Sequence, residues 1–143
     1  MWSTHFSQVF LQYQSLQVPW YSIPGNHDYG YGHETMAWAQ GPARRAYDDL
    51  WRTPGTNYTV QWQIPGGGVF SGIFADSTTL SPATNKWTNE NGGISTAVQQ
   101  ERIVDQANRL WEYYTAAVDA GSNWIFTFSH YPIYSCGDHG DNS

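Results

Sequence analysis

Two short stretches of this sequence hold the side chains best suited to chemistry. Gly25-Asn26-His27-Asp28 sets an amide, an imidazole and a carboxylate on consecutive residues behind a glycine. The amide oxygen is a hard neutral donor, and the imidazole either binds a metal or transfers a proton near neutral pH. Gly25 lets the backbone turn sharply enough for neighbouring side chains to face one site. Asn, His and Asp are also ordinary turn residues, so these four positions alone leave both readings open. The second stretch runs from His130-Tyr131-Pro132 to Asp138-His139-Gly140. One histidine at a strand end is commonly structural. Two of them, with proline, glycine and aspartate between, form a loop able to fold back over a site.

The charge pattern says what such a site handles and how. The net charge is −6, with one lysine (Lys86) and five scattered arginines, which argues against nucleic acid or an anionic membrane surface as the main partner. A phosphate bound here needs another source of positive charge, and a metal ion is the obvious one. Cys136 is the single cysteine and forms no internal disulfide; it reads as a small buried hydrophobe. No stretch approaches the roughly 18 apolar residues of a membrane span. The first residues, Met1-Trp2-Ser3-Thr4-His5, lack the charged start and apolar run of a signal peptide.

The elements that position these loops alternate between strand and helix. Residues 6–16, with Val9, Phe10, Tyr13 and Leu16 on one face, predict a short helix, and 18–23 a buried strand closed by Pro24-Gly25. Residues 43–51 read as helix. Residues 58–64 and 69–76 alternate around Gly66-Gly67-Gly68 and predict a hairpin, followed by a polar loop over 77–94. The longest helix is expected over 96–120, with Thr96 and Gln99 at capping-box spacing. Its apolar face combines Ile103, Ala107, Leu110, Trp111, Tyr114 and Val118, and Gly121 supplies the stop. A strand over 124–129 then ends at His130. Strand, helix and strand in this order predict an α/β layered architecture with partly parallel pairing, and both reactive loops follow strand ends, where open α/β sheets place ligands.

The run from Ser15 to Tyr29, carrying Gly25-Asn26-His27-Asp28, closely resembles the Gly-Asn-His-Asp segment of the tartrate-resistant purple acid phosphatases, within the calcineurin-like metallophosphoesterases. His130-Tyr131-Pro132 with Asp138-His139-Gly140 resembles the later His-Tyr-Pro loop of that family. Phe74-Ala75-Asp76-Ser77 resembles its strand ending in Asp-Thr, and the helix bearing Trp111 has a counterpart there.

The resemblance implies a partial metallophosphoesterase fold, a layered β-sandwich flanked by helices. Residues 1–143 would be the central part of a single catalytic domain, truncated at both ends. It implies a metal-dependent acid phosphatase acting on phosphate monoesters at a binuclear centre, iron with a second divalent ion (iron, zinc or manganese). Asn26 and His130 would ligate metal, His27 and His139 would contact phosphate or protonate the leaving alcohol, and Asp28 would orient a histidine or simply hold its turn. Such a protein is secreted or lysosomal/vacuolar, and the sequon Asn57-Tyr58-Thr59 fits that setting. The early aspartate motif, the Gly-Asp motif and the final Gly-His-x-His pair of the family are absent. Gly140-Asp141-Asn142 lies on the wrong side of the histidine loop to replace them. The isolated chain is therefore expected to be nearly inactive. A non-catalytic module that keeps the scaffold, or a related calcineurin-like phosphodiesterase, remains the alternative. His5 and His33 match no ligand position and read as surface residues.

Overall fold

The computed structural model describes residues 6–29, 50–80 and 96–132. Five strands and two α-helices lie within them: α1 (Gln8–Phe10), β1 (Trp20–Tyr21), β2 (Trp51–Arg52), β3 (Tyr58–Gln63), β4 (Val69–Ala75), α2 (Thr96–Asp119) and β5 (Trp124–Ser129). They build the mixed α/β architecture expected of a partial metallophosphoesterase fold. A two-stranded parallel sheet joins β1 to β2, and a three-stranded sheet has the order β3-β4-β5.

The three-stranded sheet follows directly from its sequence. Gly66-Gly67-Gly68 closes the β3–β4 turn, with Ile64 N–H donating to Gly68 O at 2.9 Å. The antiparallel register puts Tyr58 opposite Phe74 and Trp62 opposite Phe70. Strand β5 pairs in parallel with β4, Phe74 opposite Phe128 and Ala75 opposite Ser129. A parallel pair needs a long crossover, which α2 supplies. Between two partners, β4 is buried from Ser71 to Ala75.

Aromatic rings fill one face of this sheet. Tyr58, Phe74 and Phe128 form a row across three strands, with centroids 4.6 and 4.8 Å apart and rings nearly parallel. Tyr21 of β1 lies over that row, 5.3 Å from Trp62 and 5.7 Å from Phe74. The two sheets therefore pack face to face through aromatic rings, an arrangement that adds roughly 0.5–1.5 kcal/mol per pair beyond simple burial. A second cluster secures the rear of the small sheet, where buried Phe6 meets Trp20 at 5.2 Å and Trp51 at 4.9 Å, edge to face.

Several expectations are corrected here. The helix read over 6–16 breaks into a wide turn at 6–7 continuous with α1 and a 3₁₀ turn at Gln14–Leu16, because Tyr13 between them is extended. Strand 18–23 contracts to Trp20–Tyr21, since Pro19 and Pro24 have no N–H to give a ladder. Trp51 is not helical but in β2, with Trp20 N–H bonded to Leu50 O at 2.7 Å; residues 43–49 lie outside the described residues, as do 81–94. Ser77–Thr79, expected as loop, form a 3₁₀ turn.

The long helix appears as expected, but rotated. It buries Gln106 and Ala117 and half-buries Ile103, Leu110 and Tyr113, while Trp111 is 70% exposed and Tyr114 and Val118 face solvent. Its end is a Schellman motif: Ser122 N–H donates to Ala117 O at 3.1 Å and Gly121 N–H to Val118 O at 2.9 Å. Gly121 has φ +70°, a left-handed conformation costing a side-chain-bearing residue roughly 1–2 kcal/mol. Gly121→Ala is accordingly expected to lower unfolding stability by about 1 kcal/mol with an unchanged denaturant slope, as read from urea transitions; no loss would mean that the cap does not hold the helix end.

Candidate active site at the strand ends

Strands β4 and β5 run parallel and end in register, so Asp76 and His130 leave the sheet side by side. The Gly25–Asp28 loop reaches the same place from the end of β1. A phenolic clamp brings it there: Tyr58 OH donates to Ser22 O at 2.7 Å, just before the loop. Burial pushes the Tyr58 phenol well above the ordinary tyrosine value, so it remains a donor. Ser22 Oγ also bonds Thr53 Oγ1 beyond β2.

The two loops meet at their chemical residues. His130 Nε2 and Asn26 Oδ1 are 3.0 Å apart, although 104 positions separate them in sequence. The imidazole lies directly over Gly25, where a Cβ would come within 3.0 Å of its Nδ1 and Cε1. Any other residue at position 25 must displace the ring. Asp28 ties the loop back on itself: its Oδ2 accepts from Gly25 N–H at 2.8 Å, and its own N–H donates to Gly25 O at 3.0 Å. His130 is exposed and borders an open cleft of about 660 Å³ whose walls include Tyr21, Phe74, Phe128 and Ser129. A ligand can therefore reach the imidazole from solvent.

The donor pair fits a divalent ion in part. Two cis donors about 2.1 Å from an octahedral ion stand about 3.0 Å apart, which is the separation found between Nε2 and Oδ1. Ligation would take the Nε2 lone pair, so Nε2 cannot keep a proton for Asn26 at the same time. Among the described residues no group of three or more His, Cys, Asp or Glu side chains assembles around one point. His139 and Cys136 lie outside the described residues, as do His5, His33 and the side chain of His27.

Next to the pair sits a buried carboxyl to which the sequence reading gave no role. Asp76 is 2% exposed and its Oδ1 accepts from Thr78 N–H at 3.0 Å. Burial pushes its pKa up to about 6; the hydrogen bonds from Thr78 pull the other way, and the nearby Asp28 charge pushes up again. Asn57, read as a sequon, uses its amide oxygen inside the fold, accepting from Asp76 N–H at 2.9 Å and from Gln106 Nε2. The clue to Asp76 was its place at a strand end beside the histidine strand, a position that only the β4–β5 pairing reveals.

Residues 2–143 match the family model of the calcineurin-like phosphoesterases, and the chain belongs to that family. Among curated proteins it is similar to tartrate-resistant acid phosphatase type 5 of Oryctolagus cuniculus and of Homo sapiens, each 27% identical over 138 residues. The rat protein of the same name is 23% identical over 137 residues. Those alignments take in 94% of this chain and 38–39% of each relative, so the chain spans about two fifths of their length.

The Asp76 environment makes a pH-dependent prediction. The native carboxyl holds its proton up to about pH 6 whereas its ordinary pKa is 3.8. Its contribution to stability is therefore full below 3.8 and lost as pH rises through 6, amounting to at most about 3 kcal/mol. Asp76→Asn is expected to flatten the stability profile between those pH values, measured by urea unfolding in the presence of a chelator. Wild-type and variant curves that stay parallel would show that Asp76 ionises as freely in the native chain as in the unfolded one.

Proposed function

We propose that this chain supplies one flank of the active site of a metal-dependent acid phosphatase that hydrolyses phosphate monoesters. The observation that carries the reading is the approach of Asn26 Oδ1 to His130 Nε2 at the carboxyl ends of two strands. Asn26 and His130 hold one divalent ion as neutral donors. Asp28 keeps the Asn26 loop closed through Gly25, and Gly25 leaves room for the imidazole. His27 and His139 contact the phosphate or protonate the departing alcohol, a contribution typically of about a hundredfold to ten-thousandfold. When bound, a pair of ions supplies the positive charge that a chain of net charge −6 lacks and lowers the pKa of the attacking water. Iron with a second divalent ion of iron, zinc or manganese fits the family resemblance.

The partner in this reading is a phosphate monoester, with neither nucleic acid nor a membrane surface involved. No helix among the described residues is long and apolar enough to cross a membrane. A secreted or lysosomal/vacuolar setting is part of the proposal and rests on the similarity to tartrate-resistant acid phosphatases. The Asn57 sequon adds little to it, since such triplets are common by chance.

The test uses the product of the complete open reading frame with p-nitrophenyl phosphate and bis(p-nitrophenyl) phosphate at acid pH, with and without a chelator. Monoester turnover should exceed diester turnover and vanish on chelation. Asn26→Ala and His130→Ala should each lower kcat by about a hundredfold or more, the loss of a few kcal/mol of charge stabilisation. The 143-residue chain alone should hydrolyse either ester poorly. Faster diester turnover would make the protein a phosphodiesterase, and variants as active as wild type would remove Asn26 and His130 from the site.

A further inference from the structure

Behind His130 lies a buried polar cluster drawn from four separate parts of the chain. Tyr131 N–H, the amide immediately after the histidine, donates to Ser77 Oγ at 2.8 Å. Ser77 opens the 3₁₀ turn after β4, and Asp76 caps that turn through Thr78 N–H. The backbone of Asp76 is fixed on both sides: its N–H donates to Asn57 Oδ1 at 2.9 Å, and its carbonyl accepts from Gln106 Nε2 of α2 at 3.1 Å. Asp76, Thr78, Ser77 and Gln106 are each 7% exposed or less.

A cluster so placed has a specific use. Buried polar groups add little net stability when satisfied and cost much when a partner is missing, so they fix geometry more than they strengthen the fold. Here α2 turns Gln106 inward and leaves Trp111 in solvent, which a purely apolar contact would not require. The cluster meets the candidate active site through the bond from Ser77 to Tyr131 N–H. That bond fixes the peptide following His130, whose ring occupies the space that a Cβ on Gly25 would fill.

We propose that Ser77 is a positioning residue: its hydroxyl holds the 130–131 peptide so that the His130 imidazole meets Asn26 across Gly25. The inference rests on the reading of His130 as part of the active site, but its geometric half is measurable without any metal. Ser77 itself touches neither substrate nor ion; it acts through the backbone of the residue after the histidine.

The experiment compares Ser77→Ala, Ser77→Val and Ser77→Thr in the 143-residue chain. The first readout is the His130 imidazole signal in a histidine-selective NMR spectrum without metal, assigned by its loss in His130→Gln. The second is Mn²⁺ affinity, followed by paramagnetic broadening of that signal, and the third is the thermal midpoint. Ser77→Thr, which keeps the hydroxyl, should match wild type. Ser77→Ala and Ser77→Val should shift the His130 signal toward that of a free imidazole and weaken Mn²⁺ binding by about tenfold, the lower end for loss of a group supporting a metal ligand. Their thermal midpoint should fall by only a few degrees. Unchanged His130 signals in the alanine and valine variants would overturn the proposal, as would a threonine variant as impaired as valine, or outright unfolding of both hydroxyl-free variants. A wild-type chain that binds no Mn²⁺ but shows the hydroxyl-dependent His130 shift would sink the metal reading of the site and leave the positioning role of Ser77 standing.

Discussion

The contact between His130 and Asn26 constrains everything around it. A 3.0 Å approach between side chains 104 residues apart exists only while the two sheets stay docked, because each residue belongs to a different one. Docking depends on aromatic packing of Tyr21 over Trp62 and Phe74 and on the Tyr58 hydroxyl reaching Ser22. The ring stacking is broad and tolerant of small slides, whereas the hydroxyl bond is directional. The first supplies attraction and the second sets the register of the Asn26 loop. Gly25 completes the arrangement by its missing side chain, since the space a Cβ would fill is occupied by the imidazole.

A second constraint runs along the back of the three-stranded sheet. Helix α2 has two faces that could turn inward: one presents Trp111, Tyr114 and Val118, the other Gln106, Tyr113 and Ala117. Area alone favours the aromatic face, at about 25 cal/mol per Å² buried. The structure buries the other one, and Gln106 there donates to Asn57 Oδ1 and to the Asp76 carbonyl, a buried acceptor whose stranding would cost roughly 1–3 kcal/mol. The face that carries Gln106 packs on the sheet, and Trp111 on the other face is 70% exposed.

This accounts for what the sequence does and does not disclose. Strand β5 and the hairpin were legible because their signals are local: a dense aromatic run after Gly121, and an alternating run joined to a second apolar run by three glycines. The places of Gly25–Asp28 and of His130 just past strand ends were legible because Pro24-Gly25 and His130-Tyr131-Pro132 punctuate the chain there. The phase of α2 was not, because Gln106 finds its partners 49 and 30 residues away, and helical periodicity carries no record of distant acceptors. Trp51 was misread for the same reason: its strand exists by pairing with Trp20, a tertiary event that a two-residue segment cannot announce.

The electrostatics of the site follow from which groups are already engaged. As metal donors, Asn26 and a neutral imidazole at His130 would bring dipoles and no net charge, so they would define where a cation sits more than how tightly it is held; tight binding of a divalent ion needs anionic donors to offset its lost hydration. Of the two carboxyls described nearby, Asp28 is bonded to the Gly25 amide, and Asp76 is buried with a pKa near 6 and turned to its own 3₁₀ turn. Both act on the scaffold, one holding each loop. The division of labour is consistent: at this flank of the site the amide and the imidazole meet each other, while the two carboxyls hold the turns behind them.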